Sequence, residues 1–396
     1  MQHLLTEMKD ELKSDGYTNR KLAKRFDVTH TTVNGYFSDG NKFDFMHFVD
    51  ALRLYKPKDV TFRRECIKKM IPCLSHKNLK LALEVLDMYG EYDIQEQVIQ
   101  RIENPELPED EEGKKKGKSL TIRTNIKLAE LYKSLRKRSE GTILPKDFFT
   151  EVNQLKNKQK NKENDVMILS DFNVIYSFFD LGNYKMVNEY IQDILPLIND
   201  VKKHTLRSSF LLRVKEMKVF THLHNNELEE ARELCFEIIN DPLNYYISTK
   251  AVAYCKLGES YVIENYEKAK SYIEKSLEVI GVPSNKKLEI RRDKVLNTLQ
   301  FLQILHNKDL QSIHPVDPAE QAFLLIKLNR KKEAIHILEG LQEKNGRLSS
   351  FQLYYMGLAI GGEEGKRYLE LSVESFSKSG DFFYIFLPKS ALKCYN

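Results

Sequence analysis

Between Thr18 and Phe37 the chain gathers side chains that hydrogen-bond in both senses, His30, Thr31, Thr32 and Asn34, beside Gly35. Such groups can donate to and accept from base edges, and a threonine methyl can meet a thymine methyl. What must position them is legible nearby. Thr18 can cap a helix over Asn19–Phe26, and Thr29 a second over His30–Phe37, because a threonine hydroxyl accepts from the unpaired amides of a first helical turn. Leu22, Ala23 and Phe26 form the inner face of the first helix, with Ala23 small where the helices cross. Val28 and Val33 fix the second helix in the core, and Tyr36 also faces inward. Asp27-Val28 makes the turn at a position needing positive φ, where Gly or Asn is usual and Asp is tolerated less well. The pattern predicts a helix-turn-helix that offers His30, Thr31, Thr32, Asn34 and Gly35 to the major groove, Gly35 by its backbone. Thr18, Arg20, Lys21, Lys24, Arg25 and Lys42 are the candidate phosphate contacts. Each true one steepens the salt dependence of binding by about one unit.

Flanking segments complete a small domain. Leu4, Leu5, Met8 and Leu12 recur at helical spacing before it, and Phe43, Phe45, Met46, Phe48, Val49 and Leu52 after it. The four-helix unit, about residues 2–55, resembles the lambda-repressor-like helix-turn-helix class. Net charge over the chain is only +5, but residues 1–70 hold 14 Lys/Arg against 10 Asp/Glu, and residues 114–138 hold 10 against Glu130 alone. A basic N-terminal third suits a polyanionic partner such as double-stranded DNA, although a solvated charged face has the same composition.

The remainder reads as helix almost throughout. Gly (17) and Pro (11) are scarce in 396 residues, and no alternating strand pattern persists. Two polar stretches interrupt it: acidic Asn104–Gly113 followed by Lys114–Lys118, an expected exposed loop, and Lys156–Lys162. Behind them runs a weak repeat. Tyr254-Cys255-Lys256-Leu257-Gly258-Glu259-Ser260-Tyr261 precedes Asn265-Tyr266-Glu267-Lys268-Ala269, a Leu-Gly-x-x-Tyr helix followed by a Tyr-x-x-Ala helix that resembles the tetratricopeptide pattern. Looser units centre on Leu181–Tyr184, on Asn225–Leu228 with Ala231 and Cys235, on Ala322, Leu325, Ala334 and Leu338, and on Tyr354–Gly357. The expected fold is all-α, with a helix-turn-helix domain at residues 1–56, a helical linker region at 57–118, and a degenerate tetratricopeptide-like superhelix for sensing and dimerisation at 119–396. An irregular helical bundle is the plainer alternative for the last part.

Other chemistries find no support. There is no phosphate-cradling Gly-rich loop, no nucleophile–base arrangement, no metal-ligand spacing and no motif that asks for a cofactor, so an enzyme is not expected. No apolar run reaches the roughly 18 residues of a membrane span, and the first residues turn polar too soon for a secretory signal, which points to the cytoplasm. Cys66, Cys73, Cys235, Cys255 and Cys394 form no CxxC and are expected as buried reduced thiols.

Three segments carry a closer resemblance: Glu264–Ala269 with Ser271–Leu277; Glu320-Gln321-Ala322 through Asn329, Ala334, Leu338 and Leu341; and Ser375–Phe383 through Leu387-Pro388. Their order and spacing resemble the arbitrium receptors (AimR) of temperate Bacillus phages, within the helix-turn-helix and tetratricopeptide quorum-sensing superfamily. The resemblance implies a homodimer that binds operator DNA and acts in the lysis–lysogeny decision. It also implies that a hexapeptide, typically ending Arg-Gly-Ala, switches that binding off from the repeat groove. Asp381, Phe383 and Glu320 match groove positions. Phe220, His224 and Glu259 stand where relatives present Asn to the peptide backbone, a departure that puts the mode of peptide holding in question. Two other readings remain at this point: a chromosomal quorum regulator activated by its peptide, and a repeat scaffold for a protein partner.

Overall fold

The computed structural model describes residues 1–105, 117–158, 163–242 and 246–395, and among them there are helices and turns but no strand. Most of both polar stretches falls outside the described residues. The fold is all-α. Its contacts divide the chain into two units, Met1–Asn173 with Leu197–Phe210, and Val174–Pro196 with Leu211–Asn396. In chain order the helices are α1 (Gln2–Ser14), α2 (Asn19–Phe26), α3 (His30–Ser38), α4 (Phe45–Tyr55), α5 (Val60–Met70), α6 (His76–Tyr89), α7 (Tyr92–Glu103), α8 (Leu120–Ser139), α9 (Pro145–Lys158), α10 (Asn164–Asp180), α11 (Tyr184–Asn199) and α12 (His204–His224). Then follow α13 (Leu228–Asn240), α14 (Ile247–Glu259), α15 (Tyr266–Ile280), α16 (Lys286–Leu305), α17 (Pro318–Lys327), α18 (Lys331–Asn345), α19 (Ser350–Ile360), α20 (Gly362–Ser379) and α21 (Phe386–Leu392).

In the first unit α1–α4 close around Leu5, Met8, Leu12, Leu22, Phe26, Val33, Phe43, Phe48 and Leu52, all buried. Removing such side chains from water supplies the main driving force. His47 is buried among them, stacked on Phe26 at 4.7 Å and 3.1 Å from the Tyr36 hydroxyl. Burial, outweighing the nearby carboxylates, lowers its pKa and favours a neutral ring that can pair with that hydroxyl. Asp44 has two duties. One carboxylate oxygen caps α4 by accepting from the Met46 and His47 amides, at 3.0 and 3.4 Å. The other accepts from Thr205 at 3.1 Å and pairs with Lys203 at 3.0 Å. Lys203 also donates to Asn78 at 3.0 Å, whose amide donates to the Phe43 carbonyl at 2.7 Å. The start of α12 thus belongs to the same unit as the four N-terminal helices. Deeper in this unit the fully buried Glu84 carboxylate accepts from Tyr132 and Ser209, both at 2.6 Å, which compensates part of the cost of burying it.

The basic run on α8 is not the unbalanced surface its composition suggests. Lys127 pairs with Glu163, Lys133 with Glu103, Arg136 with Glu96 and Glu140, and Lys137 with Glu151. Pairs this exposed add little stability, but they offset part of the local charge that a polyanion would sense. The cysteine expectation also needs correction. Cys66, Cys235 and Cys255 are buried free thiols, whereas Cys73 is half-buried and Cys394 exposed. Burial pushes the thiols of Cys235 and Cys255 up to about 12 and about 11, which keeps them unreactive at neutral pH.

The second unit is built from helix pairs joined by short turns, at the places where the repeat pattern puts them: α12 with α13, α14 with α15, α17 with α18, and α19 with α20. Left-handed Asn226 and Asn329 sit at two of these turns, a conformation asparagine accepts more readily than most residues. Gly258 explains why α14 and α15 can lie so close. A Cβ there would stand 2.7 Å from the Ala269 carbonyl oxygen and 2.7 Å from Ile273. Gly357 and Gly365 make the equivalent crossing of α19 and α20, where a Cβ on Gly365 would stand 2.6 Å from the Gly357 carbonyl oxygen. Backbone lies in the way, so neither clash can be relieved by turning a side chain.

Gly258→Ala is therefore expected to destabilise the protein by about 1–3 kcal/mol through overpacking. Gly340→Ala in α18, where a Cβ meets nothing within 4 Å, should instead be neutral or slightly stabilising by helix propensity. Urea unfolding of both variants checks the pair, and a wild-type midpoint for Gly258→Ala would refute the close-crossing argument.

Candidate functional site

Two sites emerge, one in each unit. In the first, α2 and α3 form a capped helix-turn-helix. The Thr18 side chain accepts from the Lys21 amide at 3.3 Å, and the Thr29 side chain from the Thr32 amide at 3.1 Å. Asp27 takes the left-handed conformation, φ 53° and ψ 49°, that the turn requires. Val33 and Tyr36 are buried and Val28 half-buried, which turns the opposite side of α3 outward. His30, Thr31 and Asn34 are exposed, Thr32 and Gly35 half-buried, and nothing stands within 4 Å of where a Gly35 side chain would begin. The hydroxyls of Thr31 and Thr32 lie 3.2 and 2.9 Å from that of Thr29, so the cap engages both.

Around this edge Thr18, Arg20, Lys21, Lys24 and Lys42 are exposed, Lys42 with a loose partner in Asp39 at 3.6 Å. Arg25 has a different task. Its guanidinium holds Asp50 through two hydrogen bonds of 2.7 and 3.1 Å, with Asp50 almost wholly buried. Bidentate pairing of this kind positions α2 against α4 and takes up the donors a phosphate would need. Sequence reading had no signal for Asp50, because an acid on an apolar helix announces no partner. Asn19 also went unremarked there, although its side-chain amide donates to Asn34.

In the second unit Phe220, His224, Glu259 and Asp381 belong to one buried polar cluster. The His224 ring stacks on Tyr184 at 3.7 Å, and its Nδ1 lies 3.2 Å from Asp381, an electrostatic contact rather than an aligned hydrogen bond. The His224 carbonyl accepts from the Phe382 and Phe383 amides at 2.7 and 3.2 Å. Asp381 also accepts from the Tyr384 amide at 3.0 Å, and the Tyr384 hydroxyl donates to Glu259 at 2.8 Å. Lys256 pairs with Glu259 and sits over the Phe220 ring, 4.6 Å from its centre. Burial alone would raise the Glu259 pKa, but Lys256, His224 and Tyr384 outweigh it and hold the carboxyl below the ordinary value. Tyr184, Lys256 and Tyr384 are the members that sequence reading missed. Tyr184 and Lys256 had appeared there only as members of repeat units.

Phe383 and Glu320 stand differently. Phe383 is 2% exposed and packs edge-on against Tyr384 at 4.8 Å, so its ring is part of the core rather than a groove wall. Glu320 on α17 accepts from the Tyr355 hydroxyl at 3.1 Å, while its second oxygen is buried without a hydrogen-bond partner among the described residues. Burial, aided by Asp317, pushes its pKa up to about 7 against the help of Tyr355. A carboxyl so placed gains most from an incoming cation. No group of three or more His, Cys, Asp or Glu suited to a metal occurs among the described residues. No helix among them is long and apolar enough to cross a membrane.

Comparison with known proteins places these sites in context. A family model described as AimR transcriptional regulator-like matches residues 63–394, a stretch that includes the buried cluster and Glu320 and begins after α4. An uncharacterized protein of Bacillus anthracis is 31% identical over 257 residues, covering 64% of this chain and 94% of the relative. A solved structure of ligand-bound phAimR superposes with a TM-score of 0.71 at 19% identity, over 88% of this chain and 96% of that one. Selenomethionine phAimR gives 0.61 at 20% identity, over 99% and 97%. At these identities the superpositions speak for the fold.

Glu320 yields a pH prediction. Its folded-state value of about 7 lies above the ordinary 4.5, so folding takes up a proton between the two. The group's contribution is complete below the unfolded value and is lost as pH rises through about 7. Between pH 5 and pH 7.5 the wild type should lose roughly 1–3 kcal/mol relative to Glu320→Gln. Urea unfolding at both pH values measures this, and parallel pH profiles for the two proteins would exclude a neutral Glu320.

Proposed function

We propose that this chain, which belongs to the AimR transcriptional regulator-like family, is a DNA-binding regulator of a phage lysis–lysogeny decision whose operator binding is switched off by a short peptide. In this reading residues 1–56 form the reading head, 57–118 connect it, and 119–396 sense the peptide and dimerise, in the cytoplasm of a bacterial host. The family is one of transcriptional regulators, not enzymes. The observation that carries the DNA reading is the outward edge of α3, where His30, Thr31 and Asn34 are exposed on a capped and buried frame. Thr32 and the Gly35 backbone complete the base-facing set. Thr18, Arg20, Lys21, Lys24 and Lys42 supply the phosphate contacts, and Arg25 serves them by fixing α2. A dimer of such heads would read paired half-sites.

The peptide is assigned to the second unit, at Phe220, His224, Glu259 and Asp381, with Glu320 as a further acid and Phe383 as backing from the core. Asp381 is already paired with His224, and Glu259 with Lys256 and Tyr384, so a peptide at these residues must exchange existing contacts for its own. A ligand guanidinium could pair with a carboxylate in bidentate fashion, which suits a cationic hexapeptide. Such a peptide alters DNA binding only as far as it distinguishes the two states of the protein.

The test is the affinity of the full chain for a DNA sequence selected from a random pool, with and without a panel of hexapeptides ending in Arg-Gly-Ala. At least one peptide should weaken binding, and equal affinities across the panel would refute the switch. Lys24→Ala should lower the slope of log affinity against log salt by about one unit. His224→Ala should leave DNA binding intact while abolishing the peptide effect.

A further inference from the structure

Asn19 is the first residue of α2 and Asn34 lies in the middle of α3. The Asn19 amide nitrogen donates to the side-chain oxygen of Asn34, which is exposed while Asn19 is half-buried. Buried Leu22, Ala23 and Val33 hold the two helices together, so the fold keeps these amides adjacent. An asparagine side chain carries one acceptor oxygen and two N–H donors. Left alone in a major groove it favours adenine, accepting from N6 and donating to N7 together. With one lone pair of its oxygen taken by Asn19 from the α2 side, Asn34 offers a base chiefly its N–H groups. The hydroxyls of Thr31 and Thr32 each share one hydrogen bond with Thr29, which leaves the amide of Asn34 and the ring of His30 as the less committed readers on α3.

We infer that Asn19 determines base specificity: by engaging the Asn34 oxygen it biases Asn34 toward donating, which selects guanine or thymine, whose major-groove edges present oxygen acceptors, over adenine. This rests on the assignment of α3 as the DNA-reading helix. It adds a residue that acts through another, and it gives the direction of the preference.

The experiment is selection from a random duplex pool by the full chain, with bound DNA sequenced for the wild type, Asn34→Ala, Asn19→Ala and Asn19→Asp, each checked for helical content by circular dichroism. Asn34→Ala should flatten the preference at one position of the site by roughly tenfold, and this locates the contact. There the wild type should favour guanine or thymine. Asn19→Ala releases the Asn34 oxygen and should move the preference to adenine. Asn19→Asp can only accept, so it should draw the Asn34 N–H groups inward, turn the oxygen outward, and move the preference to a base bearing an amino group, adenine or cytosine. Wild-type preference for adenine at that position, or an unchanged preference in both properly folded Asn19 variants, overturns the inference. Failure of the folded wild type to enrich any sequence overturns the DNA reading itself, and is recognised as such because it precedes any comparison of variants.

Discussion

A helix leaves its last carbonyls without partners, and something must satisfy them. At the end of α12 the His224 carbonyl is met by the Phe382 and Phe383 amides, which brings the segment after α20 onto this helix end. Much of the second unit's polar interior follows from that junction. It sets Asp381 beside the His224 ring and lets Tyr384 reach Glu259. Glu259 in turn holds Lys256 over Phe220. A buried network of this kind is favourable only while nearly every member is partnered. The same property makes it a sensitive place for a ligand to act, since exchanging one contact disturbs several.

The N-terminal head was the most legible part of the chain, because its determinants are local. Thr18 and Thr29 cap within three residues of themselves, Ala23 is small where helices cross, and Asp27 occupies the turn. The repeat pairs were legible for a related reason: Gly258 with Ala269 records a close approach between helices adjacent in sequence. What escaped was pairing at a distance. Periodicity reveals which face of a helix is buried, but not what meets it. Hence Arg25 read as a phosphate contact until Asp50 appeared beside it. The α8 cations read as a basic patch, although acids from α7, from α9 and from Glu163 just before α10 pair with several of them. Phe383 matched a groove position yet packs in the core, and Cys394 fell in an apolar pattern yet lies exposed.

Glu320 and Glu259 show how environment separates two acids of one type. Each is removed from water, but Glu259 has an ammonium and a tyrosine hydroxyl, whereas Glu320 has one tyrosine hydroxyl and an acidic neighbour. The first is driven toward ionisation and the second away from it. The charge of this region therefore depends on partners more than on composition, and acids counted along the sequence overstate its negative field at neutral pH.

The double duty of Asp44 bears on how such proteins can diversify. The residue that caps α4 also receives Lys203 and Thr205, which lie far along the chain. A recombination event that exchanged only the first 56 residues for those of another lineage would carry the acid away from its two later partners. The N-terminal helices of this chain are thus not a freely interchangeable cassette. A graft would preserve the seam only if the incoming domain brought an equivalent acid, or if positions 203 and 205 changed with it.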